Sequence, residues 1–240
     1  MEQLDKLTIV TITYNNEDEL LQTINSFSQI LNAGVKCVII NGGNILSKKI
    51  NFHSNVKIIE EPDKGIYDAL NKGQNLVDTK FYMKIHSGDK FISSVESLQE
   101  LIKRMEINIL DVLLGNQTIG FYSNKRKHTS NLWKPFFFHF GCQPPHMPTI
   151  YRKSFVGELK YDIKNEVIAD FFFLHELFNN KPKWGKSKEF IVEMAEGGIT
   201  SSGLKSYFLV SKEFFKNYGL FKGVFIFFFR FPLKLFQTFF

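Results

Sequence analysis

Cysteine is scarce. Cys37 and Cys142 are the two in the chain, and they have no metal-ligand spacing. That excludes a zinc module and a disulfide scaffold, and predicts a reduced, cytosolic setting. No secretory leader is expected. Residues 1–6 carry Glu2, Asp5 and Lys6, and the apolar run over 7–12 is short and broken by threonine. No internal repeat occurs at solenoid periods. Residues 11–17 contain neither Gly nor Lys, so the basic, glycine-rich phosphate loop of a nucleotidyltransferase is missing. With 44% hydrophobic and 22% charged residues, the composition is that of a folded protein, long enough to bury a core unaided.

Acid is missing from one region. Residues 204–240 hold six basic residues and one acid, Glu213, a net +5 of the chain's +6. Residues 1–203 are nearly neutral. No nucleic-acid partner is expected, since that needs a basic face on the globular part. The same tail holds twelve of the 27 phenylalanines. An aromatic, cationic tail reads as a membrane-surface element, placing the protein on the cytoplasmic face of the membrane. Residues 220–240 approach spanning length, but Lys222, Arg230, Pro232 and Lys234 fall inside. Arg230 near the middle would cost about 2.5–3.5 kcal/mol in the hydrocarbon core, so the tail is expected to lie in plane. A folded-back or oligomer-forming helix is the other reading.

Up to residue 105, strands alternate with helices. Residues 7–13, 35–40, 56–59 and 80–85 are β-rich. Residues 17–32, 66–76 and 95–105 have helical spacing, the first opened by Asn15 and Asn16 and by acids that suit the helix dipole. Gly73 looks like a weak point in the second helix. The pattern predicts an α/β fold with a mostly parallel sheet. Ligands in such folds sit beyond the carboxyl ends of the strands. Polar clusters at 14–16, 41–44, 61–65 and 86–89 each follow a strand, predicting one cleft. Beyond 106, two short strands are expected at 110–114 and 117–121, a basic loop at 123–131, and a partly exposed aromatic stretch at 133–140. Helices are expected at 167–178, 206–217 and 220–239, with Pro232 as a kink. Residues 1–105 would bind a nucleotide, 106–203 would complete the same domain, and 204–240 would be the tail.

The stretch Glu61-Pro62-Asp63-Lys64-Gly65-Ile66-Tyr67-Asp68-Ala69-Leu70-Asn71-Lys72-Gly73 closely resembles a segment of family-2 glycosyltransferases with the GT-A fold, of the kind that assemble bacterial polysaccharides. Further segments match in order. They are Thr11-Ile12-Thr13-Tyr14-Asn15-Asn16, Asn41-Gly42-Gly43-Asn44, His86-Ser87-Gly88-Asp89, residues 145–153 around His146, residues 168–174 around Asp170, and Gly197-Gly198-Ile199-Thr200.

The resemblance implies a Rossmann-like sheet and sugar transfer, with inversion, from a nucleotide-sugar donor such as a UDP-sugar to a lipid-linked glycan of a surface polysaccharide such as O-antigen. It implies Asp170 as general base, with His146 near the acceptor or diphosphate. Thr11, Tyr14, Asn41, Asp68, Lys72 and Ser87 would bind the donor, and Asp89 would hold Mg²⁺ or Mn²⁺. Two departures stand out. Asn41 replaces the family's usual Asp, losing charge assistance toward a uracil N–H. Asp89 is the single carboxylate of the metal motif, where phosphate oxygens and water can fill the remaining positions. These departures also suit a catalytically silent, membrane-associated scaffold.

Overall fold

Strand β1 (Leu7–Thr13) is buried at all seven positions. Successive residues point to opposite faces, so a strand covered on both sides reads as a continuous apolar run. Leu7 and Ile9 join one hydrophobic cluster, and Val10 and Ile12 join the other. The computed structural model describes residues 4–47, 53–120, 125–195 and 203–239, and side chains in the last helix from 205 to 232.

The remaining strands are β2 (Lys36–Asn41), β3 (Val56–Glu60), β4 (Phe81–Lys84), β5 (Lys90–Phe91), β6 (Val112–Ile119), β7 (Arg126–His128), β8 (Ile150–Arg152) and β9 (Trp184–Met194). Among the described residues they form one sheet in the order β3-β2-β1-β4-β8-β6-β9-β5, with β7 on β6. The first four are parallel, and β6 runs parallel to β9. The α/β expectation holds. Helices α1 (Glu17–Ser26), α2 (Ser28–Asn32) and α4 (Val95–Ile107) cover one face. Helix α3 (Ile66–Asn75) and α6 (Ala169–Asn179) cover the other. A short α5 (Lys153–Val156) follows β8.

Several local expectations change. The helix expected over 17–32 is two helices parted at Phe27, because the Ser26 and Ser28 hydroxyls bond back to the carbonyls of Thr23 and Asn25. Gly73 is a site of close approach: a Cβ there would lie 2.4 Å from Val10 Cγ1. The two strands expected at 110–121 are one strand, β6, with an irregularity near Asn116. Part of the basic loop is β7. Strand β9 was not expected. Its apolar core is three residues long, and β6 imposes the rest. The stretch 133–140 contributes buried Trp133 and Phe138 and exposed Phe136, and winds into a 3-10 turn at Pro135–Phe140.

The C-terminal helix α7 (Gly203–Phe239) breaks at Gly219, not at Pro232. Gly219 has φ 75° and ψ 179°, a conformation open to glycine. The two halves fold against each other as a hairpin. The Tyr207 hydroxyl donates to the Phe227 carbonyl, and a Cβ on Gly223 would strike the Phe215 ring at 2.4 Å. Val210, Phe214 and Ile226 are buried in the cluster that holds α3 and α6. Among the described residues no helix is long and apolar enough to cross a membrane.

Candidate active site

Beyond the carboxyl ends of β1 and β4 opens a cleft of about 490 Å³, lined by Ile12, Thr13, Tyr14, Asn16, Asp63, Gly65, Ile66, Ala69, His86 and Ser87. Its rim is knitted from the predicted loops. A Cβ on Gly42 would meet Asp63 Oδ2 at 1.7 Å, and one on Gly43 would meet the backbone nitrogen of Asn15 at 2.6 Å. Residues without side chains are what let the loops touch.

The 61–65 loop is braced from α3. Asp63 Oδ1 accepts from Gly65 N (2.8 Å), and Asp68 Oδ2 accepts from Lys64 N (3.0 Å). Lys72 Nζ donates to the Pro62 carbonyl (2.7 Å) and pairs with Glu61 (3.1 Å) and Asp68 (3.7 Å). Asp68 and Lys72 thus shape the rim, and neither lines the cleft. Asn41 is nearly fully buried. Its amide donates to the Asn44 carbonyl (2.7 Å) and Glu60 Oε1 (3.3 Å), while its Oδ1 accepts from Gly43 N (3.1 Å). Thr11 lies inside the sheet beside Cys37 Sγ (4.0 Å). Tyr14 and Ser87 do line the cleft, Tyr14 being largely exposed.

The 86–89 loop is tied to α1. The Thr23 hydroxyl donates to the Asp89 carbonyl (2.8 Å) and accepts from Gly88 N (2.9 Å). Asp89 Oδ1 accepts from Ala195 N at 3.0 Å. Its Oδ2 is buried and has no hydrogen-bond partner among the described residues. Burial pushes the carboxyl up to about 7, against the pull of the Ala195 and His86 backbone donors. An unpartnered, desolvated carboxylate oxygen fits a cation. Among the described residues no group of three or more His, Cys, Asp or Glu could hold a metal by itself.

Asp170 stands at the start of α6. Its Oδ2 accepts from Gln143 Nε2 (2.6 Å), and its Oδ1 lies 3.3 Å from the Tyr67 hydroxyl. That hydroxyl also donates to the Val167 carbonyl (3.0 Å). Burial raises the carboxyl, and the Gln143 bond partly offsets it. His146 Nδ1 lies 3.6 Å from Asp170 Oδ2, an ion-pair distance. Burial, with the Lys84 charge, holds this imidazole down at about 3, so it is neutral. Its ring meets His86 at 6.1 Å, and His86 is likewise held at about 3, first by burial. His86 opens onto the cleft, so the pair of rings links Asp170 to it. Among the described residues His86 Nε2, His146 Nε2 and Gln143 Oε1 are buried without hydrogen-bond partners, and of the three residues His86 alone lines the cleft.

Four contributors were not singled out in the sequence. Tyr67 sits within the quoted motif, and Gln143 lies three residues before His146. Glu213 comes from the tail: its two oxygens accept from Val167 N and Ile168 N, both at 2.9 Å, just before α6. Lys84 is fully buried, with its ammonium over Tyr151 (4.3 Å), Phe173 (4.5 Å) and Tyr161 (4.7 Å), and it donates to the Tyr161 hydroxyl. The loop with Gly197-Gly198-Ile199-Thr200 lies outside the described residues.

The sequence profile described as glycosyl transferase family 2 matches residues 8–178. No curated protein matches the sequence. Among solved structures, S. aureus TarS residues 1–349 superpose with a TM-score of 0.64 at 13% identity, covering 88% of this chain and 65% of that one. Its complex with UDP gives 0.63 at 12% identity, with the same coverage. The mannosyltransferase PcManGT from Pyrobaculum calidifontis, in complex with GDP-Man and Mn²⁺, gives 0.62 at 9%, covering 88% and 63%. This chain therefore spans about two thirds of the length of these proteins. Such identities show the fold, which is GT-A. The profile match covers most of the chain and shows the family: the protein belongs to glycosyl transferase family 2.

Proposed function

We propose that this protein transfers a sugar, with inversion, from a nucleotide-sugar donor to a glycan hydroxyl. The observation that carries the reading is Asp170: a carboxylate raised by burial, hydrogen-bonded to neutral side chains, and joined to a loop-built cleft through His146 and His86. A base with a raised pKa is the better proton acceptor, provided it ionises at working pH.

The donor's nucleoside would lie in the cleft against Tyr14, with its diphosphate toward Ser87 and Asp89. UDP is the favoured nucleotide, since TarS was solved with UDP; GDP, as in PcManGT, is the alternative. Thr11, Asn41, Asp68 and Lys72 support the nucleoside side by shaping its walls. The acceptor oxygen attacks the anomeric carbon in line. Its proton passes to an Asp170 oxygen, and the bond from that carbon to the phosphate oxygen breaks, releasing the nucleoside diphosphate. Gln143 and Tyr67 hold the carboxylate toward the acceptor, and neutral His146 adds no charge that would weaken the base. Asp89 is the residue that would hold Mg²⁺ or Mn²⁺, a cation that, when bound, offsets negative charge on the departing diphosphate.

The acceptor is read as a lipid-linked glycan of a surface polysaccharide, on the cytoplasmic face of the membrane. The aromatic, cationic tail supports that reading.

The test is thermal stability with UDP, GDP, CMP and dTDP, each with and without Mn²⁺. A ligand at a hundred times its Kd stabilises by about 2.7 kcal/mol. A Mn²⁺-dependent shift with UDP supports the reading, and a shift with GDP instead moves the donor class. No shift with any nucleotide leaves a silent scaffold of the same fold.

A further inference from the structure

The second half of α7 is apolar on two opposite sides. Gly223, Ile226 and Phe227 face inward, with Ile226 buried and Phe227 against Tyr207 at 5.0 Å. Arg230 is on this side too, its guanidinium 5.3 Å from the Phe214 ring. A Cβ on Gly141, which closes the 3-10 turn, would meet Ile226 Cγ2 at 2.7 Å and Arg230 Cδ at 3.1 Å. Among the described residues the other side is largely uncovered. Phe221 is 92% exposed, Phe228 68% and Phe225 51%. Their spacing of four and then three residues makes them one stripe.

The stripe continues onto a second element. Phe140 of the 3-10 turn lies 4.5 Å from Phe229 and 5.7 Å from Phe225. Phe136 stacks edge-on to Phe140 at 5.1 Å and is itself 62% exposed. A contiguous aromatic surface of this kind on a folded chain marks a docking site.

Charge chooses the occupant. The single acid of the hairpin, Glu213, is buried and spent on Val167 and Ile168. Lys205, Lys212 and Lys216 of the first half are exposed. The large and charged side chains that the hairpin exposes are therefore mainly aromatic and cationic, with no exposed acid among residues 205–232. A second copy docked face to face would set these cations against each other. An anionic bilayer complements both features, with rings in the interface and ammonium groups at the phosphates.

We infer that the outer side of the second half of α7, together with Phe136, is a lipid-docking surface for anionic membranes. This deepens the transferase reading by giving its membrane partner a surface. The surface is packed onto the base's helix: Glu213 clamps the backbone before α6, and Phe214 lies 4.9 Å from Phe171, the neighbour of Asp170. Removing residues 220–240 would strip Ile226 from the core, so surface substitutions are the right probe.

The full chain is sedimented with phosphatidylcholine vesicles and with phosphatidylglycerol–phosphatidylcholine vesicles. Binding is expected to the second. Phe221→Ser with Phe228→Ser, and separately Phe136→Ser, should weaken it by at least about tenfold per side chain. Lys205→Glu with Lys212→Glu should weaken it about fivefold per residue. Unchanged binding by the serine variants overturns the inference, as does a wild type that ignores anionic vesicles. A wild-type dimer that the serine pair makes monomeric, without vesicle binding, gives the face to a second copy and also overturns it. Each variant is melted with and without UDP and Mn²⁺. Should the serine pair fail to fold, the lysine pair decides. A chain that binds vesicles but shifts with no nucleotide refutes the transferase reading and leaves this one standing.

Discussion

Asp63 and Asp68 of the first half and Asp170 of the second are treated in opposite ways. In the first half, Asp63 and Asp68 accept from backbone N–H groups, and Asp68 and Glu61 pair with Lys72, all near the surface. Their charge is answered, and they act as fasteners for the rim. In the second half, Asp170 is met by an amide, a phenol and a neutral imidazole, while the buried cations Lys84 and Arg230 act on it through space from beside aromatic rings. Among the described residues no Lys or Arg pairs with it directly. Identical chemical groups become structure in one place and a reagent in the other, and the difference lies in burial and in the charge of the partners. Asp89 stands between them, with one oxygen fastened and the other free.

The sharpest way to break this contrast is Asp170→Asn. It keeps the shape and the Tyr67 contact but removes the base. Turnover should fall by about a thousandfold, within the range for a positioned general base, while the UDP-induced thermal shift stays the same. Retained turnover would return Asp170 to the class of fasteners.

Glu213→Ala tests whether the base depends on the tail. It strands the N–H groups of Val167 and Ile168 and should cost about 2–4 kcal/mol in denaturant unfolding. Glu213→Gln keeps one acceptor and should cost less. Equal losses would mean that packing of α7, rather than the clamp, sets stability. Asp89→Ala should next remove the Mn²⁺-dependent part of the UDP shift, about 2–3 kcal/mol at saturating ligand, with little effect on the metal-free melt.

Lys84 gives the contrast a pH signature. Burial holds its ammonium down at about 7, below its ordinary value, with Asp170 pulling the other way. The unfolded chain therefore carries the extra proton between pH 7 and about 10, and the folded protein gains stability as pH rises through that window. That stability is lost as pH falls back through 7. The slope is at most ~1.4 kcal/mol per pH unit. Lys84→Met fits the aromatic cage and should flatten the slope relative to wild type. Equal slopes would mean that the amine stays charged, screened by the rings around it.

What was legible in the sequence follows from range. The first four parallel strands, the cleft at their ends and Asp170 at a helix start are local patterns, readable from a dozen residues each. Strand β9 was hidden because its pairing partner, β6, lies about seventy residues away. Gln143 and Tyr67 were adjacent to quoted motifs, but only the fold turns them toward Asp170. Glu213 looked like a stray acid in a basic tail, and nothing within the tail tells that its partners are the N–H groups of residues 167 and 168. Composition alone carries the expectation of membrane affinity. The hairpin divides that composition into an inner side that completes the core and an outer side left exposed.

Asn41 is the smallest expected effect and the most direct probe of the rim. The family's usual residue at this place is Asp. Here the Asn amide donates to Glu60 Oε1, and the same oxygen also accepts from Leu46 N at 2.7 Å. An Asp would lose both of the bonds that the Asn amide donates and set a carboxylate against Glu60. Asn41→Asp should therefore destabilise the protein by about 1 kcal/mol. Glu60→Gln, placed beside it, restores a donor opposite the new carboxylate and should recover most of that loss. If Asn41→Asp costs nothing, the departure at this position is unrelated to Glu60. If the pair is rescued and UDP binding also tightens, the rim residue reaches the base after all, and a first-half carboxylate becomes a reagent like Asp170.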